Sequence, residues 1–346
     1  MPSDTNPSDT NPAGTVSPDE TPQKTVSLDA YLAAAAKKIG IEADEYSEAE
    51  RTPLRKAASH LLVSGGKRLR PALLMLSADA VRQGAAADVF PAAFGIELLH
   101  TYTLVHDDIM DNDSMRRGTP TVHTVYGNTA AILAGDLLYG DAFSYICRAE
   151  AAPAAKTAAV QMLSHTCHML CEGQSADAAF ETRDDVSLEE YLSMVRGKTG
   201  SLLAASAGIG SLLAGGTPQQ TAALYTLGMN AGIAFQIRDD VLDLTASPDV
   251  LGKNRASDLR ENKQTIVSVF AREAGVDLSA YHKPDLTEAE ISEVISSLEN
   301  AGVFAKAAAY SAKLIADAKA GLSVFPDSDE KQMLCAMADL FVVRES

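Results

Sequence analysis

Cysteine is scarce: Cys147, Cys167, Cys171 and Cys335 are the four in 346 residues. A disulfide scaffold is shorter and denser in cysteine, so reduced thiols and a cytosolic chain are expected. Basic residues are in deficit, 29 Lys and Arg against 46 Asp and Glu, for a formal net charge of −17. Such a chain does not bind nucleic acid without a local basic patch. It must recruit an anionic substrate through metal ions or a few concentrated cations. Met1 to Thr25 has no apolar core of the kind a secretory signal carries. No stretch reads as the roughly 18 apolar residues of a membrane-spanning helix. Long β-branched alternations are also missing, which excludes a sheet protein.

What is present is helical. Hydrophobic residues make up 46% of the chain, ample for a large core. Residues 3–12 give the pentapeptide SDTNP twice, and the segment 1–25 is rich in Pro, Ser and Thr, so it is expected to be a disordered tail. From Val26 to the C-terminus Ala and Leu dominate and no composition shift marks a boundary, so 26–346 reads as one all-α domain of about ten to thirteen helices. S/T-x-x-E/Q boxes mark helix starts at Ser47, Ser187, Thr217 and Thr287. Pro218 suits a first helical position.

The sharpest feature is Asp107-Asp108-Ile109-Met110-Asp111, which ends an apolar run from Phe94. On a helix Asp107 and Asp111 share a face, where like charges repel, and Asp108 points about 100° away. A divalent cation would compensate that repulsion, and Mg²⁺ takes a few carboxylates together with water and phosphate oxygens. Taken alone, the pattern is as well read as a solvated acidic helix end. It recurs at Asp239-Asp240-Val241-Leu242-Asp243, again ending an apolar run. Two such sites can hold metal ions between them and so bind a diphosphate. Cations flank both: Lys67, Arg68 and Arg70 after Gly65-Gly66, Arg116-Arg117, Lys198, Lys253 and Lys263. Any one of these is an ordinary surface cation; as a set they read as phosphate ligands.

This set resembles the trans-isoprenyl diphosphate synthase family, the farnesyl and geranylgeranyl diphosphate synthases. The motifs stand in family order: GGKRLRP (65–71), HDDIMDNDSMRRGTPTVH (106–123), GDLLYGDAF (135–143), GQSAD (173–177), KTGSL (198–202), FQIRDDVLDL (235–244) and GKNRASDLRENKQT (252–265). The resemblance implies a helical bundle around a central cavity, working as a homodimer. It implies three Mg²⁺ ions held by Asp107, Asp111 and Asp239, with Asp243 supporting the second site through waters. Arg116, Lys198, Lys253 and Lys263 would contact the allylic diphosphate. Lys67, Arg70, His100 and Arg117 would form a metal-free pocket for isopentenyl diphosphate. Thr199 and Gln236 would lie near the carbon that ionises. The implied reaction is ionisation, condensation and elimination, with no protein general base.

The resemblance has departures. Ala256 and Asn262 stand where the family usually has Gly. Asn tolerates left-handed backbone, whereas Ala256 is expected to need a modified loop path. Product length would be set on the first motif's helix by Tyr102, five residues before Asp107, with Leu99 and Leu98 a turn deeper. An aromatic there, without the two-residue insertion of many bacterial farnesyl synthases, resembles archaeal-type geranylgeranyl synthases. A C20 product is expected, with farnesyl or a longer chain as alternatives.

Other readings are weaker. His165, Cys167, His168 and Cys171 have helical ligand spacing, but their apolar flanks read as core packing. His106-Asp107 as the doublet of an HD-type phosphohydrolase leaves the second aspartate motif without a role. A class I terpene cyclase would not need GGKRLRP. A non-catalytic subunit of a heteromeric synthase would have lost one aspartate motif.

Overall fold

The computed structural model describes residues 27–49, 52–246 and 255–342. The expected tail of 1–25 lies outside them. The described chain holds thirteen helices of eight or more residues. They are α1 (Leu28–Ala49), α2 (Pro53–Leu62), α3 (Leu69–Val81), α4 (Phe90–Met110), α5 (Asn128–Cys147), α6 (Pro153–Phe180), α7 (Leu188–Val195), α8 (Ser201–Leu213), α9 (Pro218–Thr245), α10 (Ile266–Glu273), α11 (Glu288–Asn300), α12 (Val303–Gly321) and α13 (Asp329–Leu340). Strand is confined, among the described residues, to an antiparallel pair, Met115–Arg116 (β1) with Thr119–Pro120 (β2).

Ser187, Thr217 and Thr287 each close a reciprocal capping box on α7, α9 and α11. Ser47 does not: it lies inside α1, which runs on to Ala49. The next helix is started by Thr52, whose hydroxyl accepts from Arg55 N at 3.1 Å ahead of Pro53. An unforeseen box joins Thr265 and Ser268 at the start of α10.

α8 is buried on nearly every side, as its unbroken small and apolar composition requires. It packs against α3 and α9, α4 packs against α5, and α9 against α12. Buried apolar residues form two clusters, one centred on α3, α4, α5 and α8, the other on α7, the second half of α9, and α10 to α12. Leu314 of α12 borders both. α5 departs from expectation: it is long and apolar enough to meet the length and composition test for a membrane span, and less than half of it is buried. It carries Asp141, which binds Arg55 at 2.8 Å and the Tyr46 hydroxyl at 2.7 Å. Ile132 and Leu133 of the same helix are exposed.

Candidate active site

The first aspartate motif ends α4, and Asp111 is the residue that closes the helix. Asp107 and Asp111 both face a cavity of about 570 Å³, bounded also by α6, the turn before α8, and Tyr102. Asp108 turns the other way. It is fully buried and bonded to the Arg116 guanidinium. Asp111 stands at the exposed rim, yet the protein around it and the charge of Asp107 raise its carboxyl to about 6. One buried Asp107 oxygen accepts no hydrogen bond, with the Lys198 ammonium 3.5 Å away. A carboxylate oxygen short of donors beside a second, repelling carboxylate fits a hard cation. Among the described residues no three His, Cys, Asp or Glu side chains converge as a closed metal cage. Water and phosphate oxygens would therefore have to complete a coordination shell here.

The β1–β2 hairpin sends neighbouring arginines apart, because Arg116 ends β1 and Arg117 begins the turn. Arg116 lies among acids, against Asp108, 3.6 Å from Asp107 and 3.5 Å from Asp113. Arg117, in left-handed backbone with φ 52°, reaches back and donates to the Gly65 carbonyl at 2.8 Å.

Arg117 thereby joins a second cavity of about 920 Å³, with Lys67, Arg68, Arg70, His100 and the end of α13 in its walls. The surrounding protein pushes Arg70 down to about 10 against the pull of Glu97, so it stays cationic at neutral pH. His100 is 3.3 Å from an Arg70 nitrogen. Burial first, and then Arg70 and Arg117, hold its pKa far below the usual value, so the imidazole is neutral. The sequence reading counted Arg68 with the phosphate ligands and did not foresee its partner Glu97. Arg68, left-handed at φ 50°, buries its guanidinium against Glu97 and the Leu62 carbonyl. A lone acid within the apolar run of α4 was the available signal for Glu97. Arg70 and His100 border both cavities.

The KTG segment forms one π-helical turn, Arg196–Gly200, between α7 and α8. It swings Lys198 to within 2.5 Å of Asp177 and 3.5 Å of Asp107. Burial lowers the Lys198 pKa, but Asp177, Asp107 and Asp111 outweigh it and the net shift is upward. Two glycines permit the approach. A Cβ on Gly173 would lie 2.3 Å from the Lys198 backbone nitrogen, and one on Gly197 would lie 2.6 Å from the Met169 carbonyl.

From the same π-turn Thr199 donates to Oε1 of Gln236 on α9 at 2.9 Å, and Gln236 Nε2 donates to Asp240 at 2.9 Å. Asp240 is buried and also accepts from the Tyr191 hydroxyl at 2.6 Å and Ile266 N at 3.1 Å. Because a carboxylate only accepts, it fixes which way the Gln236 amide turns. Asp239 lies half-buried on the same helix. Asp243, one turn on, is turned into the protein. It is 2% exposed, and its carboxylate accepts from Ser257 Oγ at 2.7 Å and Asp258 N at 3.0 Å. It holds the loop and does not face the large cavity. The loop itself needs no detour at Ala256, which adopts φ 60° and ψ 35°, as Asn262 adopts φ 55°. The N–H of Ala256 donates to the Asp243 carbonyl at 2.8 Å, a tether that offsets about 1 kcal/mol of left-handed strain. Lys263 borders a small cavity with Asp177, Lys198, Thr199 and Gln236. Asp258 and Glu261 lead the charges that raise its pKa against burial. Lys253 lies outside the described residues.

Two further expectations change. Leu98 and Leu99 are fully buried and border neither large cavity. Of the His/Cys group on α6 only Cys167 is buried; His165, His168 and Cys171 are exposed, and Cys171 lines the 570 Å³ cavity.

The polyprenyl synthetase family model matches residues 51–298. A geranylfarnesyl diphosphate synthase of Natronomonas pharaonis is 42% identical over 339 residues, 92% of this chain and 99% of that one. A geranylgeranyl diphosphate synthase of Methanosarcina mazei is 44% identical over 292 residues, 84% of this chain and 90% of that one. The solved geranylgeranyl pyrophosphate synthetase of the archaeon Geoglobus acetivorans superposes with a TM-score of 0.85 at 39% identity, covering 90% of this chain and 99% of that one. With a family match over most of its length and relatives aligned almost end to end, the chain belongs to the polyprenyl synthetase family and is a trans-prenyltransferase.

Proposed function

We propose that the chain condenses isopentenyl diphosphate with dimethylallyl, geranyl and farnesyl diphosphates, and that its main product is geranylgeranyl diphosphate. The observation that carries this reading is the pair of adjoining cavities. One is apolar with an acidic rim, the other is lined by cations, and they meet at Arg70 and His100. Two diphosphates are thus held by opposite chemistry, one through metal and one directly.

Asp107, Asp111 and Asp239 would hold a cluster of three Mg²⁺ ions, and the ions supply positive charge to the departing diphosphate. Asp243 acts on this site through the loop it tethers. Lys198 and Arg116, now paired with carboxylates, are within reach of the same phosphate oxygens. Lys253 and Lys263 add to them from the loop. The oxygens of Thr199 and Gln236 face the ionising carbon and stabilise its charge. Lys67, Arg70 and Arg117 grip isopentenyl diphosphate. Neutral His100 donates a hydrogen bond there without adding charge. Leu104, Met110, Leu170 and Leu202 border the apolar cavity and keep water from trapping the cation. The double bond of isopentenyl diphosphate then attacks, and the proton leaves to the released diphosphate. Tyr102 closes the cavity.

A C25 product is the second reading, because a relative matched over 99% of its length is named a geranylfarnesyl synthase. We place the enzyme in the cytoplasm as a homodimer, with the exposed apolar face of α5 against a second copy. The test is product chromatography with Mg²⁺, isopentenyl diphosphate and each primer in turn. A C20 chain is expected, and a C25 chain as the main product would replace the C20 assignment. In the same assay Asp107→Asn or Asp239→Asn lowers turnover at least about 10²-fold. Near-normal rates would contradict the metal assignment.

A further inference from the structure

We infer that Lys263 is aimed by a closed ring of hydrogen bonds through Asp184, Asn262, Gln264 and Arg272, which makes Asn262 and Asp184 positioning residues for the allylic diphosphate. The inference rests on the proposed contact between Lys263 and that diphosphate, and it adds what holds the lysine in place. Asn262 Nδ2 donates to Asp184 Oδ1 at 2.9 Å. Asn262 Oδ1 accepts from Gln264 Nε2 at 3.2 Å. Gln264 Oε1 accepts from Arg272 Nη1 at 3.4 Å. The same Arg272 nitrogen donates to the Asp184 carbonyl, which closes the ring, and Arg272 Nη2 donates to the Val186 carbonyl. The turn between α6 and α7, the loop ahead of α10, and α10 itself are joined there.

The chemistry of its members fixes the direction of the ring. An arginine only donates and a carboxylate only accepts. Gln264 must therefore turn its oxygen to Arg272 and its nitrogen to Asn262, and Asn262 must turn its nitrogen to Asp184. Gln264 is buried, so water does not offer its amide another arrangement. Lys263 lies between two ring members in the chain. Its N–H donates to the Asp258 carbonyl at 2.8 Å, and its own carbonyl accepts from Thr265 N at 3.0 Å and Ser268 Oγ at 3.1 Å. Its backbone is thus held on both sides, beside the small cavity it shares with Asp177, Lys198, Thr199 and Gln236. Asn262 is also where this chain departs from the glycine usual in the family. A glycine takes the same left-handed φ of 55° but has no amide to place in the ring. None of the four ring residues lines the 920 Å³ cationic cavity, so the ring acts on one of the two diphosphate sites.

The test is initial-rate kinetics with geranyl diphosphate or isopentenyl diphosphate varied while the other saturates. The variants are Lys263→Ala, Asn262→Gly, Asp184→Ala and Asp184→Asn, and thermal melts check that each is folded. Lys263→Ala should raise the KM for geranyl diphosphate about 10-fold, as loss of a charge-assisted hydrogen bond does. Asn262→Gly and Asp184→Ala should each raise it about 5-fold, because the lysine must then be ordered on binding. The KM for isopentenyl diphosphate should stay within about twofold in all of them. Asp184→Asn keeps the acceptor and should recover most of the loss seen with Asp184→Ala. If Lys263→Ala raises the KM and the two ring variants do not, the ring falls and the Lys263 contact stands. If the ring variants raise it and Lys263→Ala does not, the ring acts through another group and the proposal falls. No effect from any variant overturns the ring and the Lys263 contact together. A lower melting temperature with both KM values unchanged, or an equal rise in both, reduces the ring to a structural brace and overturns its positioning role. An Asp184→Asn variant as impaired as Asp184→Ala makes charge the active property and also overturns the ring.

Discussion

Asp107 and Asp111 stand one helical turn apart, and burial together with the charge of Asp107 raises the Asp111 carboxyl to about 6 against the pull of Lys198 and Lys263. The folded chain therefore binds a proton at Asp111 more tightly than the unfolded chain, whose carboxyl titrates near 3.8. The stability from that proton is present below the unfolded pKa and is lost as pH rises through about 6. Mg²⁺ competes with the same proton. Thermal melts should show a larger rise in Tm on adding Mg²⁺ with inorganic pyrophosphate above pH ~7 than near pH ~5. Equal shifts at both would mean that Asp111 does not meet the metal. At this scale much of the site was legible. A carboxylate pair at i,i+4 declares a shared face, and Asp108 and Asp240 do turn into the protein. For Asp243, spacing alone does not tell that its carboxylate finds a distant hydroxyl. Its partners are Ser257 and Asp258, fourteen and fifteen residues on.

Among the elements, the π-turn at Arg196–Gly200 does the most for chemistry with the fewest residues. One extra residue per turn rotates Lys198 and Thr199 off the axis shared by α7 and α8, toward α4 and α9. The Gly173–Gly197 contact lets α6 approach closely enough for Asp177 to reach Lys198. Gly173→Ala forces backbone against backbone, so it should cost about 2 kcal/mol of stability. It should also lower turnover by about 10²-fold through the displaced ammonium. A melt and a steady-state rate measure the two separately, and a normal rate would show that Lys198 needs no such placement. Helix starts were readable wherever a capping box stands ahead of an apolar run, as at Ser187, Thr217 and Thr287. The box failed at Ser47 because α1 was already under way, and an interior serine has no free N–H groups to cap. Ala256 shows the reverse case. A residue poor at left-handed backbone is held there by the Asp243 carbonyl and by complete burial.

For the whole molecule, the acidic charge and the two cavities belong together. A chain of net charge −17 concentrates cations at one pocket and leaves the other to carboxylates. α5 links the site to assembly. One face packs on α4, and the other exposes Ile132 and Leu133. Leu133→Glu should turn a dimer into a monomer by size-exclusion chromatography with light scattering, since each Leu lost from an interface removes roughly 2 kcal/mol. A monomeric unchanged protein, or a variant that still dimerises, would place the interface elsewhere.

By itself the sequence determined the helical class, the two aspartate motifs, the cations around them and the family, because each is written in residues close together along the chain. Helical periodicity and i,i+4 spacing act over single turns, and they carry that information without a tertiary partner. Only the tertiary structure decided which carboxylate supports a loop, that His100 is neutral, that Glu97 buries Arg68, and that Tyr139 stands behind Tyr102. Each of these depends on residues 14 to about 40 positions apart meeting in a dry interior. There, burial and a single partner set charge and direction, and local sequence does not record who that partner is.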